Sequence, residues 1–194
     1  MRVLNGIVIV WCALVLVPVD AAADVTAAVR TDWIPAGTLN FDTEGTTLDF
    51  SSSTEVAFGL AGEVGYAFSP RYAMAVAPRV VFGIKGDADD DSITELDVMV
   101  RGMPMYPLAN GTTFYSYGAL GYSRLFLPAP ADNFAPSGLV VGFGGGFRFP
   151  VRPGVSLGLE LGYQLGFQGG EEMGVEYEFS TRLLHVGVVV GTAP

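Results

Sequence analysis

From Val155 to Phe167 the chain alternates without a break. Val155, Leu157, Leu159, Leu161, Tyr163, Leu165 and Phe167 form one row, and Ser156, Gly158, Glu160, Gly162, Gln164 and Gly166 form the other. Successive side chains of a strand point to opposite faces, so this pattern predicts a strand with one wholly apolar face. It runs over 13 residues, against roughly 5–6 for a strand of a soluble domain.

The period recurs. Residues 56–68 place Val56, Phe58, Leu60, Val64, Tyr66 and Phe68 on the apolar face, with Ala57, Gly59, Ala61, Glu63, Gly65 and Ala67 opposite. Residues 72–85 place Tyr72, Met74, Val76, Val80, Phe82 and Ile84 against a face holding Arg79 and Lys85. Residues 94–106 set Leu96, Val98, Val100 and Tyr106 against Glu95, Asp97 and Arg101. Residues 139–149 set Leu139, Val141, Phe143, Phe147 and Phe149 against Gly142, Gly144, Gly146 and Arg148. Three further stretches are strand-like: 113–127 with ambiguous phase, 176–191 with a phase slip near Leu183-Leu184, and 25–34 with the faintest pattern. These make about eight strands.

The connections alternate in length. Ser69-Pro70-Arg71, Pro107 to Thr112 with its Asn110-Gly111 pair, and Pro150 to Gly154 are short and turn-like. Residues 35–53, 86–92, 128–137 and 168–175 are longer and polar, and carry Asp42, Glu44, Asp49, Asp87, Asp89, Asp90, Asp91, Asp132, Glu171 and Glu172. Short turns on one rim and longer loops on the other mark a membrane barrel, with both termini on the short-turn rim. The pattern therefore predicts an all-β fold, a transmembrane antiparallel up-and-down β-barrel. A soluble barrel would turn its apolar face inward. Here the opposite face is rich in Gly and Ala, with few of the Lys, Glu and Thr that clothe a soluble surface, so the apolar row is expected to meet lipid.

The chain begins differently. Met1-Arg2, the apolar run Ile7 to Val17 and the small residues Ala21-Ala22-Ala23 have the layout of a secretory signal. Cleavage is expected near Ala23, leaving residues 24–194 as the barrel domain. The run is shorter than the roughly 20 residues of a membrane-spanning helix. The only cysteine, Cys12, lies inside it, so no disulfide is expected in the exported chain. The net charge of −10, with Lys85 the only lysine, argues against a nucleic-acid partner.

This layout resembles the small eight-stranded outer-membrane barrels of the OmpA membrane-domain and OmpW-like families. The resemblance implies residence in the bacterial outer membrane, with membrane lipid and the barrel-assembly machinery as partners. Members usually end on an aromatic residue, whereas this chain ends Gly191-Thr192-Ala193-Pro194.

An eight-stranded barrel has an interior that side chains just fill. The inward charges Glu63, Arg79, Lys85, Glu95, Asp97, Arg101, Arg148 and Glu160 must then pair with one another to be tolerated. A lumen charge network and no wide pore are expected. The leading function is a structural or surface-contact role in the envelope. The alternatives are a narrow channel for small apolar or ionic solutes, and a lipid-modifying enzyme. No enzymatic activity and no cofactor are expected. His185, the single histidine, has no serine motif beside it and reads as a lumen-facing polar residue. Asp87, Asp89 and Asp91 have alternate spacing suited to a divalent cation. Ser92 and Val98, however, stand where an EF-hand requires Gly and Glu. Gly142-x-Gly144-Gly145-Gly146 lacks the lysine of a phosphate loop and reads as inward glycine in a narrow barrel.

Overall fold

The structure, a computed structural model, describes residues 25–43, 50–54, 56–85, 92–127, 135–172 and 175–192. The signal segment 1–23 and the acidic positions Asp87, Asp89 and Asp91 lie outside the described residues.

Nine β segments follow one another: β1 (Val25–Thr43), β2 (Phe50–Thr54), β3 (Ala57–Ser69), β4 (Tyr72–Ile84), β5 (Ile93–Pro107), β6 (Thr113–Phe126), β7 (Ser137–Arg152), β8 (Val155–Glu172) and β9 (Val175–Thr192). Every pairing is antiparallel between neighbours, and β1 also pairs with β9, which closes the sheet. On its other side β1 meets β3 along Val25–Ile34 and β2 along Gly37–Phe41. β2 and β3 thus share one position, and the result is an eight-stranded antiparallel barrel. Closure removes the sheet edge, which is what a spanning sheet requires where no water is present to pair backbone groups.

The barrel is inside-out relative to a soluble one. Phe68 is 61% exposed and Phe58 60%, while Arg79 is 1% exposed and Glu95 and Asp97 are fully buried. The faces assigned from sequence to 56–68, 94–106, 139–149 and 155–167 are the faces observed. Exposed aromatic residues cluster near the short-turn rim, where Tyr66, Phe68 and Tyr72 contact one another, as do Tyr106, Phe114 and Phe147.

Two bulges change the phase. In β1 the register with β9 shifts between Trp33 and Ala36, around Pro35. Proline cannot donate to a ladder and is tolerated at such a site. Even-numbered residues from Thr26 to Ile34 face inward below it, and the odd-numbered Leu39 does so above it. In β4 the register shifts between Val81 and Ile84, at Gly83 with φ +77°. An inserted residue flips every later side chain to the other face. Ile84, expected outward, is therefore buried in the lumen against Ile34, Ala57, Val81 and Leu183.

Other expectations need correction. β9 shows no slip at Leu183-Leu184: alternation is unbroken from Phe179 to Val190, with Leu183 inward. Most of the expected loop 35–53 is strand, since β1 runs to Thr43 and β2 begins at Phe50. The expected loop 168–175 is likewise largely the ends of β8 and β9, because backbone pairing continues to Glu172↔Val175. The short connections are turns as expected, at Pro70-Arg71, at Leu108–Thr112 and at Pro153-Gly154.

The lumen is layered. Leu39, Leu125 and Phe179 pack together toward the loop rim. Met103, Met105 and Tyr115 belong to a second apolar cluster toward the turn rim. Between them lies a band of buried charge.

Candidate functional site: the lumen charge network

β1, β3, β4, β5, β7 and β8 each aim at least one charged side chain into this band. Arg101 of β5 sits at its centre. Its guanidinium donates to Glu63 Oε2 at 2.9 Å and to Glu160 Oε2 at 2.8 Å, and it lies over the Tyr117 ring at 3.8 Å. Glu63 also accepts from Arg148 at 3.1 Å. Glu160 is the most connected acceptor, receiving Arg30, Arg101 and the Tyr115 hydroxyl, the last at 2.7 Å. Arg30 reaches Asp32 at 2.7 Å, and Asp32 accepts from Arg79 Nε at 2.9 Å. Arg79 continues to the Gln164 carbonyl and stands 3.9 Å from Asp97. The chain of contacts crosses the lumen from β7 to β4 and back to β8.

At the loop-side end the partners are neutral. Gln164 Nε2 donates to Glu95 Oε1 at 3.1 Å and to Asp97 Oδ2 at 2.9 Å. Ser123 donates to the same Glu95 oxygen at 2.9 Å, and Gln168 Nε2 lies 3.4 Å from it.

Of the eight residues expected in a lumen network, Glu63, Arg79, Glu95, Asp97, Arg101, Arg148 and Glu160 are buried and joined by these contacts. Lys85 is not among them. It follows the Gly83 bulge and the end of β4, is half-buried, and has no ion pair with a described residue. The cause is the same phase flip that turns Ile84 inward.

Sequence reading missed Arg30 and Asp32, on the strand with the faintest pattern. The signal was present, since Thr26, Ala28, Arg30 and Asp32 alternate with Val25, Ala27, Val29, Thr31 and Trp33. Tyr115 and Tyr117 were unassigned because aromatic residues occupy both faces of β6. His185 lies mid-strand in β9. It is buried, contacts the Tyr117 hydroxyl at 3.1 Å and stands 3.6 Å from Glu160.

Packing explains several small residues. A Cβ on Gly162 would collide with the Tyr117 hydroxyl and the His185 ring. The cavity lined by Thr26, Met103, Met105, Tyr115 and Arg148, and the one lined by Arg30, Glu63 and Arg101, are each about 10 Å³. That is room for roughly one water apiece.

With this geometry in view, the comparison with solved structures is direct. The chain superposes on Neisserial surface protein A (NspA) with a TM-score of 0.56 at 16% identity, covering 87% of this chain and 97% of that one. It superposes on the outer membrane protein OprG from Pseudomonas aeruginosa with a TM-score of 0.55 at 11% identity, covering 87% and 96%. The fold is that of the small outer-membrane β-barrels. No protein-family model matches the chain, and no curated protein matches it in sequence. The likeness is therefore one of architecture: a closed eight-stranded antiparallel sheet.

Proposed function

We propose that this protein is exported with cleavage near Ala23 and resides in the bacterial outer membrane as a self-plugged barrel. Its role there is structural or one of surface contact, with membrane lipid around it and the barrel-assembly machinery as its folding partner. The observation that carries this reading is the lumen network. Arg30, Arg79, Arg101 and Arg148 are spent on Asp32, Glu63 and Glu160 in contacts across the barrel axis. Charges that line a conduit stay available to passing ions, whereas these are consumed by one another. Cavities the size of a single water beside the network are consistent with a plug.

A lipid-modifying enzyme would need its histidine beside a nucleophile that substrate can reach. His185 is instead sealed between Tyr117 and Glu160, which supports a packing role and no enzymatic activity.

The test is to refold residues 24–194 in detergent, record the gel shift between unheated and boiled samples, and insert the protein into planar bilayers. A heat-modifiable band without reproducible conductance is expected. Steady single-channel steps would overturn the plug and favour the narrow channel. A chain that stays soluble without detergent would overturn the membrane reading altogether.

A further inference from the structure

The charges of the network do not balance. Among the described residues four buried guanidiniums, Arg30, Arg79, Arg101 and Arg148, face five buried carboxylates, Asp32, Glu63, Glu95, Asp97 and Glu160. The imbalance is local. Glu63 and Glu160 each accept from two guanidiniums, and Asp32 lies within 3 Å of two. Glu95 makes no ion pair with a described residue, and Asp97 has only Arg79, at 3.9 Å.

Glu95 and Asp97 are two residues apart on β5, so their side chains leave the same face. A single atom, Gln164 Nε2, contacts both, at 3.1 Å from Glu95 Oε1 and 2.9 Å from Asp97 Oδ2. The other oxygen of each carboxylate, Glu95 Oε2 and Asp97 Oδ1, is buried without a hydrogen-bond partner. Two adjacent, fully buried carboxylates, one without a cation and the other with a distant one, leave an uncompensated charge. Such a charge is removed in practice by taking up a proton. One proton taken up by this pair leaves four negative charges for four guanidiniums.

We propose that Glu95 and Asp97 form a proton-binding site in the lumen, an acid–carboxylate pair that holds a single shared proton at neutral pH. Among the described residues the surroundings contain nothing else to neutralise it. β4 contributes Arg79, already committed to Asp32 and Gln164. β6 contributes the Ser123 hydroxyl and β8 the Gln164 and Gln168 amides. Farther off, Glu160 of β8 is held by Arg30 and Arg101, and His185 of β9 faces Glu160 and Tyr117. Asp32 of β1 lies behind Arg79. Loss of the proton leaves two like charges side by side at the loop end of the plug, so alkaline conditions loosen that end first.

The sign follows from linkage. The folded chain holds a proton that the unfolded chain, with its solvated carboxylates, releases at neutral pH. Stability therefore falls as pH rises through the release of that proton. The experiment is infrared spectroscopy of the refolded barrel in micelles, together with urea unfolding from pH 6 to pH 10. At pH 7 a carbonyl stretch of a protonated carboxyl group is expected, disappearing reversibly as the pH is raised. Glu95→Gln and Asp97→Asn should each abolish the band, and Glu95→Gln should flatten the alkaline loss of stability. Ser123→Ala removes one donor to Glu95 and should displace the band without abolishing it, which keeps the test open should the carboxamide variants fail to fold. Absence of the band at pH 7 overturns the proposal. So does its persistence in both folded carboxamide variants, or an unmoved band in folded Ser123→Ala. A barrel stabilised by sodium or calcium but not by a bulky organic cation, and lacking the band, would show that a metal ion neutralises the pair instead.

Discussion

Replacing Arg101 with Met is the sharpest test of whether the lumen contacts hold the barrel together. Arg101 is 2% exposed and, among the described residues, is the only one that joins Glu63 to Glu160. Methionine preserves much of the aliphatic length but removes the guanidinium. Glu63 then keeps only Arg148 at 3.1 Å, and Glu160 keeps Arg30 and the Tyr115 hydroxyl. Removing one partner of a buried ion pair costs about 3–5 kcal/mol, because the other charge is left without compensation. The lost stacking over Tyr117 contributes in the same direction, by about 2 kcal/mol for a desolvated cation–π contact. An exposed pair would cost only about 0–1 kcal/mol, so the two situations are well separated. The assay is urea unfolding of the refolded barrel in micelles, read by the heat-modifiable gel shift and by fluorescence of Trp33, which lies on the outer face. Adding Glu160→Gln to the Met variant should recover part of the loss, because it removes the charge that Arg101 had served. A loss below about 1 kcal/mol for Arg101→Met would refute the reasoning, as would complete additivity of the two changes.

Other substitutions test separate links. Gly162→Ala should cost about 1–3 kcal/mol by overpacking and should break the contact between Tyr117 and His185; urea unfolding and the His185 ring signals in NMR report the two effects. Leu161→Arg puts a charge on the outer face midway along β8 and should cost about 2–4 kcal/mol in lipid. The same change in a water-facing barrel would be nearly neutral, so unfolding from lipid vesicles discriminates. Gly83→Ala meets no neighbour, yet it must hold φ +77°. It should cost about 1–3 kcal/mol from backbone strain alone, with Gly83→Asn milder, both read from the urea midpoint.

The faces of most strands were legible in the sequence because a strand has a strict period of two and lipid admits only apolar side chains. Leu157 to Phe167 required no tertiary information to be placed outside, nor Glu160 to be placed inside. The same logic located seven buried charges of the network. It failed where one residue interrupts the period. Pro35 and Gly83 each insert a bulge, and a periodicity read through a bulge assigns every later residue to the wrong face. Ile84 and Lys85 were misplaced for that reason alone. It also failed where both faces carry the same residue types, as with Phe114, Tyr115, Tyr117 and Tyr122 on β6. Pairing lay beyond it entirely. That Arg101 serves Glu63 and Glu160, while Glu95 is left to neutral amides, depends on which strands face one another across the lumen. Closure of β1 onto β9 and the stagger of the registers decide that, and neither is encoded in any single strand.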